Sequence, residues 1–177
     1  MTTEQVPISW TCGEARVIDV RSLTGTTKQQ TWPASPEITV DHIRTFEDTY
    51  GDLREGEVVI FRTDHVQQHL KPTPDDVGLW SGPLKGTSEG WPALGPASIV
   101  YLKSKGVRCI ATDAPDIGGV DPRRALMTYW ALGSNEMVAV EFLTNVSDIP
   151  EKSYFLFAAV KIRDCHGGPG RAMVLYD

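Results

Sequence analysis

The stretch EVVIFRT, residues 57–63, predicts a buried strand, because four apolar residues in a row follow the turn-like residues 54–56. Two further short apolar runs lie on either side of it along the chain, ARVIDV at 15–20 and RCIATDAP at 108–115. Segments with helical capping signals separate the three runs, TVDHIRTFEDTYGD at 39–52 and GPASIVYLKSKGV at 95–107. Strands separated by helices favour parallel crossovers within one sheet.

The second half of the chain adds another helix and three strands. DPRRALMTYWALG at 121–133 predicts a helix that is opened by Asp-Pro and closed by glycine. The predicted strands are EMVAVEFL at 136–143, YFLFAAVKI at 154–162 and RAMVLYD at 171–177, and a Gly-rich hairpin joins the last two. Residues 64–94 are rich in proline and glycine and predict an irregular excursion. The sequence therefore predicts an α/β (mixed α+β) domain, a mixed sheet with two or three helices.

Length, charge and cysteine content argue against several classes of protein. The 177 residues suffice for one domain with a sizeable core, and the net charge is −6 without any dense cluster of Lys and Arg. We therefore expect no nucleic-acid partner and no anionic-membrane partner. The sequence contains no apolar run long enough to span a bilayer and no signal-peptide pattern at its start. Three widely spaced cysteines without a CxxC pair favour the cytoplasm.

Glu141 is the most unusual residue of the predicted core. It lies between Val140 and Phe142 in a run that predicts a buried strand. A carboxylate at such a position is costly unless a proton, a cation or a metal compensates it. An ion pair with Arg123, Arg124 or Lys161 is one possible compensation, and a metal is another.

The order of four segments resembles the cyclase family of metal-dependent hydrolases, which includes bacterial kynurenine formamidase and isatin hydrolase. The segments are GEARVIDVRSL, GDLREGEVVIFRTD, PALGPASIVYLKSKGVRCIATDAPDI and VAVEFLTNVSDIPEKSYFLFAAVKIRDCHGGPGRAMVL, and the resemblance spans about residues 6–176. It implies a swivelling β/β/α fold and a single cyclase-like domain over residues 1–177. It also implies hydrolysis of a small amide, lactam or ester with Mn or Zn.

The resemblance implies that Glu141 is a metal ligand, but the other ligands of the family are missing. The family motif H-x-G-T-H-x-D-x-P precedes the strand matched by ARVIDV, whereas the fourteen residues before that strand here contain neither His nor Asp. Arg123 and Arg124 stand where the family usually has a further His, and a protonated guanidinium cannot bind a metal. We therefore assign no catalytic residue, and we expect Mn or Zn only if a partner completes the site.

The remaining candidates for a substrate pocket lie near predicted strand ends. Arg62 matches an Arg-Thr pair of the family, and Asp64 follows it. His65 and His69 have i, i+4 spacing and could form a substitute metal site with Asp64, although a solvated polar loop is the alternative. Asp113 and Asp116 follow the strand RCIATDAP, where ligands of open sheets tend to bind. Asp113 could instead hold the strand end through backbone hydrogen bonds.

Three hypotheses follow from the missing motif. The chain could be one subunit of a split hydrolase whose second subunit carries the H-x-G-T-H-x-D segment. It could be a catalytically inactive relative that binds a small ligand or a protein. It could also be a complete enzyme whose start codon has been placed too far downstream. An incomplete sheet would expose apolar surface and strand edges, so we expect a homo-oligomer or a hetero-complex.

Overall fold

The computed structural model describes residues 1–71 and 79–177, and it contains one six-stranded sheet with helices packed against it. The strands are β1 (Cys12–Asp19), β2 (Glu37–Ile38), β3 (Val58–Arg62), β4 (Ala93–Leu94), β5 (Cys109–Thr112), β6 (Val138–Val140), β7 (Lys152–Ala159) and β8 (Gly170–Leu175). The main sheet has the order β6-β5-β3-β1-β7-β8, whereas β2 and β4 form a separate parallel pair. Strands β6, β5, β3 and β1 are parallel, and β7 and β8 run antiparallel to their neighbours.

The helices differ greatly in length. They are α1 (Val40–Tyr50), α2 (His65–His69), α3 (Ser81–Lys85), α4 (Pro96–Ser104) and α5 (Pro122–Ser134). Short 3₁₀ segments cover Thr3–Gln5, Ile8–Trp10, Arg21–Leu23 and Gln29–Thr31. The three longer helices are the ones that the sequence predicts, because each carries clear terminal signals.

Local capping explains where the long helices begin and end. The Thr39 backbone N–H donates to Nδ1 of His42 at 3.0 Å at the start of α1, and Gly51 ends this helix with φ 90°. The carboxylate of Asp121 accepts a hydrogen bond from the Arg123 N–H at 2.9 Å, and Pro122 occupies the first turn of α5. These interactions are between residues close in sequence, so the pattern alone predicts them.

Alternating residues of the central strands build two apolar clusters, one on each face of the sheet. The first cluster lies under the long helices and includes Ile43 of α1, Leu102 of α4 and Leu132 of α5. The second cluster includes Ile60 and Phe155, and the segment that follows β6 covers part of it. Helices therefore cover one face of the sheet. On the other face, the β7–β8 hairpin contributes side chains to the second cluster, and the segment after β6 covers part of that cluster.

The predicted mixed α+β class is confirmed, including the parallel strands and the terminal hairpin. The predicted strand over 136–143 is wrong at both ends, because only Val138–Val140 are in strand β6. Glu136 and Phe142 have positive φ values of 51° and 63°, and this left-handed backbone ends the strand on both sides. Glu141 is therefore the first residue after β6 and does not lie inside a strand.

The excursion predicted over 64–94 contains α2, α3 and β4, and its residues 72–78 lie outside the described part of the chain. Across residues 1–71 and 79–177, every helix is too short or too polar to cross a membrane.

Candidate functional site

The candidate residues collect at one edge of the main sheet. Strands β1, β3, β5 and β6 are parallel, so their carboxyl ends meet at the same edge. Asp19 ends β1, Arg62 ends β3, Asp113 follows β5, and Glu141 follows β6. The topology thus brings together side chains that are far apart in sequence, at the edge where open sheets most often bind ligands.

Asp113 joins the ends of β3 and β5. Its side chain is 1 % exposed, and one carboxylate oxygen accepts hydrogen bonds from the Thr63 N–H at 2.7 Å and the Thr63 hydroxyl at 2.8 Å. The other oxygen accepts from the Asp64 N–H at 2.7 Å. Burial raises the pKa of Asp113, and these three hydrogen bonds oppose that shift. Its geometry matches the alternative role of holding a strand end.

Asp64, His65 and His69 are brought close together, but their polar atoms have other partners. The Asp64 carboxylate accepts from Ser147 Oγ at 2.9 Å and contacts the Arg21 guanidinium at 3.2 Å. His65 is buried, and its Nε2 donates to the Leu79 carbonyl at 2.8 Å. The two rings lie 4.6 Å apart on one face of α2, which agrees with their i, i+4 spacing. Within the described residues they do not form a substitute metal site, and the solvated-loop alternative is wrong for buried His65.

Burial of His65 gives the protein a testable pH dependence. Desolvation lowers the pKa of His65 to about 4, whereas the imidazole of the unfolded chain titrates at 6.5. The unfolded state therefore binds the proton first as the pH falls. We expect this group to leave stability unchanged above pH 6.5 and to lower the free energy of unfolding by about 2 kcal/mol between pH 7 and pH 5.

Urea unfolding at several pH values tests this expectation. His65→Gln should lose most of the fall between pH 7 and pH 5, whatever its stability at pH 7. His166 lies on the surface, so His166→Gln should keep the fall. An undiminished pH dependence in the first variant would contradict the assignment.

Asp116, Tyr129 and Glu141 form a second polar cluster at the same edge. Glu141 Oε1 accepts a hydrogen bond from the Tyr129 hydroxyl and another from the Ile117 N–H at 3.0 Å. Asp116 Oδ1 accepts from the Gly118 and Gly119 N–H groups at 2.8 and 2.6 Å. A phenol and backbone amides thus satisfy two carboxylates that lie near each other.

The electrostatics of this cluster favour protonated forms. Burial raises the pKa of Glu141, and the neighbouring Asp116 charge raises it further, whereas the hydrogen bonds from Tyr129 and Ile117 oppose the shift. Burial also raises the pKa of Asp116. The Tyr129 pKa lies above its usual range because of burial and the adjacent Glu141 carboxylate. Groups of this kind are suited to holding a proton near a bound ligand.

The alternative in which Glu141 pairs with Arg123, Arg124 or Lys161 does not match the structure. Arg124 donates to the Ser35 carbonyl at 3.0 Å and lies 3.9 Å from the Glu37 carboxylate. Arg123 is exposed, and Lys161 Nζ donates to the Glu4 carbonyl at 3.3 Å. The Tyr129 hydroxyl donates to Glu141 in place of a cation.

Arg62 shapes the segment that follows Glu141. Its guanidinium donates to the Val146 carbonyl at 3.0 Å and to the Ile149 carbonyl, and it lies 3.8 Å from the Asp19 carboxylate. The side chain therefore fixes the segment that covers the second apolar cluster. A contact of Arg62 with substrate stays a prediction, as it does for Asp64, His65, His69, Asp113, Asp116, Arg123 and Arg124.

Two adjoining cavities flank Glu141. One has a volume of about 620 Å³ and is lined by β6, by the end of β7 and by residues 166–170 of the hairpin. The other has a volume of about 510 Å³ and is lined by residues 141–146 and by β8. Glu141, Phe157 and Gly170 line both cavities. We call the two cavities together the Glu141 groove.

The described residues do not fit a bound metal. Within residues 1–71 and 79–177, no group of three or more His, Cys, Asp or Glu side chains is arranged to hold one. Glu141 is also engaged with a phenol and an amide, and neither of these supplies a typical Mn or Zn ligand. The implied metal-ligand role of Glu141 therefore stays a prediction that needs ligands from elsewhere.

The sequence-based prediction missed two parts of the site. The Asx-type turn at Asp116 has a recognisable signal, an aspartate followed by Gly118-Gly119. Gly118 is needed for close packing, because an added Cβ would lie 2.8 Å from Ala125 Cα. Tyr129 has no comparable signal, since its contact with Glu141 depends on how α5 lies across the sheet.

Comparisons with known proteins agree with this architecture. Residues 1–118 match the profile of the family described as "Putative cyclase". The isatin hydrolase of Roseibium aggregatum is 31 % identical over 144 residues, which cover 78 % of this chain and 52 % of that protein. The chain thus spans about half the length of this curated relative.

Solved structures show the same fold. An isatin hydrolase bound to the product analogue thioisatinate superposes with a TM-score of 0.77 at 22 % identity, covering 99 % of this chain and 64 % of that one. Isatin hydrolase A from Ralstonia solanacearum gives a TM-score of 0.73 at 18 % identity, with coverages of 99 % and 64 %. A potential metal-dependent hydrolase with cyclase activity gives 0.70 at 19 %, with coverages of 98 % and 70 %.

The predicted fold class is therefore confirmed by both the strand order and these superpositions. The family profile covers two thirds of the sequence, including β1, β3 and β5 with their polar carboxyl ends. This chain belongs to the cyclase family of hydrolases.

Proposed function

We propose that this chain is one part of a cyclase-family hydrolase that acts on a small amide, lactam or ester. In this proposal a second polypeptide carries the H-x-G-T-H-x-D segment and completes the site beside Glu141, where Mn or Zn would be held jointly. The observation that carries the proposal is the position of Glu141. It lies at the carboxyl ends of the parallel strands, in a sheet of the hydrolase family, and it lines an open groove.

The surrounding residues support a site for a small polar substrate. Glu141 has a raised pKa, and Tyr129, which lines the larger cavity, donates a hydrogen bond to it. Apolar side chains such as Phe157 and Val138 line the same groove. A groove with apolar walls and a few convergent polar groups is typical of small-molecule sites.

A catalytically inactive relative that binds a small ligand or a protein is the second candidate. The hydrogen bonds of Glu141 favour it, since Tyr129 and the Ile117 amide satisfy this carboxylate without any cation. Both candidates use the same groove, so they differ in whether the assembled protein hydrolyses a substrate. Localisation in the cytoplasm belongs to either proposal and is consistent with free Cys12, Cys109 and Cys165.

Co-expression with a motif-bearing polypeptide tests the first candidate against the second. The partner is a polypeptide encoded beside this chain that carries H-x-G-T-H-x-D, or the part of the Roseibium aggregatum protein that this chain does not match. Isatin, an aryl formamide and an aryl ester are the substrates to assay. Hydrolysis by the complex but by neither part alone supports the proposal. An inactive complex that contains stoichiometric metal would support the inactive relative.

Metal content provides a separate prediction for the isolated chain. We expect the purified protein to retain much less than one Mn or Zn per chain after dialysis, because a catalytic zinc needs about three protein ligands. Inductively coupled plasma mass spectrometry measures this directly, with the co-expressed complex as the comparison. One tightly held metal per isolated chain would contradict the prediction and would direct attention to His69 and nearby carboxylates.

A further inference from the structure

We infer that the second polypeptide docks as an extended segment in the Glu141 groove, beside the free edge of β6. This inference rests on the proposed function and names the surface through which the two parts meet. The groove has an open apolar rim, it lies beside an unpaired strand edge, and the solved relatives contain a further stretch of chain.

The second apolar cluster is fully buried at its centre but open at its rim. Ile60 and Phe155 of this cluster are 0 % exposed, as are Ile43 and Leu102 of the first. On the second face, the apolar side chains that border the groove remain only partly buried: Val138, Phe157, Ala172 and Val174. The second apolar cluster is therefore open toward the groove, and an apolar segment placed there would bury it further.

The strand order leaves a site for one more strand at the same place. Among the described residues, β6 has β5 as its single neighbour, so its other edge carries backbone N–H and C=O groups available for pairing. Strand β6 and the end of β7 both line the larger cavity, together with N-terminal residues such as Met1 and Thr3. An extended segment can add to a sheet as a new strand where an open strand edge lies beside an apolar groove.

The length of the solved relatives indicates what kind of occupant to expect. The thioisatinate-bound isatin hydrolase superposes on 99 % of this chain, yet the chain covers only 64 % of it. About a third of a protein with this fold therefore lies outside the region described here. A polypeptide equivalent to that third is the occupant to which we assign the groove.

Two neighbouring alanines on β7 give a matched test. Ala159 lines the groove on the same strand face as Phe155 and Phe157, whereas Ala158 points to the opposite face. Both side chains are exposed, so arginine at either position should leave folding intact. We expect Ala159→Arg to weaken binding of the second polypeptide at least about tenfold and Ala158→Arg to leave it unchanged.

The probe is the unmatched part of the Roseibium aggregatum isatin hydrolase, co-expressed with the tagged chain. Dissociation constants come from biolayer interferometry, and a photo-crosslinker at Val138, which lines the groove on the second face, reports which polypeptide lies against β6. Equal binding by both arginine variants would overturn the inference, as would failure of the probe to bind. A cross-link from Val138 to a second copy of this chain would also overturn it and would assign the groove to a homodimer.

Hydrolysis assays on the same complexes separate the inference from the proposed function. If Ala159→Arg alone abolishes binding while the unmodified complex is inactive, the docking site stands and the hydrolase proposal fails. If the unmodified complex hydrolyses substrate and both variants bind normally, the hydrolase proposal stands and the docking site is wrong.

Discussion

Asp113→Ala is expected to destabilise the protein by about 3–5 kcal/mol and to lower the melting temperature by about 10 °C. The substitution leaves the Thr63 N–H, the Thr63 hydroxyl and the Asp64 N–H without their acceptor in a buried site. Each buried donor that loses its acceptor costs about 1–3 kcal/mol.

Asp113→Asn refines this test. An amide retains one oxygen for Thr63 but presents an NH₂ group to the Asp64 N–H, so we expect an intermediate loss. Asp48 is exposed on α1, and Asp48→Asn serves as the control that should change stability by less than about 0.5 kcal/mol. Chemical denaturation of the four proteins measures the differences. An Asp113→Ala variant as stable as the control would show that the carboxylate does not hold the two strand ends together.

Glu141→Gln is expected to act in opposite directions in the isolated chain and in the complex. In the isolated chain, burial raises the pKa of Glu141, so ionisation at neutral pH costs the folded state free energy. Glutamine keeps an oxygen for Tyr129 and the Ile117 N–H but carries no charge. We therefore expect the variant to be as stable as the parent or more stable at pH 7, with an equal or higher melting temperature.

The pH dependence checks the sign of this effect. A carboxyl group whose pKa is raised by folding lowers stability as the pH rises through the unfolded value of 4.5 and onward to the folded value. The gain from glutamine should therefore be present at pH 7 and vanish below about pH 4.5. A melting temperature that falls by many degrees at pH 7 would instead indicate an internal partner that needs the negative charge.

In the reconstituted complex the same substitution should strongly reduce hydrolysis and metal binding. If Glu141 completes the joint site, Glu141→Gln should lower hydrolysis by about 100-fold or more and reduce the bound metal. Glu14 is exposed on β1, and Glu14→Gln is the matched control that should leave both quantities unchanged. A fully active Glu141→Gln complex would remove this residue from the site while leaving the docking test unaffected.

Single-sequence patterns predicted most of the secondary structure because the signals are local. A few neighbouring residues suffice to encode each of these features, such as the apolar run of β3 and the helix caps at Thr39 and Asp121. Parallel crossovers follow from the alternation of strands and helices. The collection of Arg62, Asp113 and Glu141 at one sheet edge follows in turn from that topology.

Sequence alone could not assign partners to these side chains, because partners are fixed by packing between distant segments. The carboxylate of Asp113 accepts a hydrogen bond from Thr63, which lies fifty residues earlier in the sequence. This contact exists because β3 and β5 are adjacent in the sheet. The Tyr129 phenol that contacts Glu141 lies on α5, and the position of this helix depends on the apolar cluster beneath it. The sequence by itself predicted the three long helices, the central strands and the family, but not α2, α3, β4 or the true extent of β6. The tertiary structure alone decided that Glu141 leaves its strand early, binds Tyr129 and borders a groove, since each of these depends on backbone conformation and contacts that no local pattern encodes.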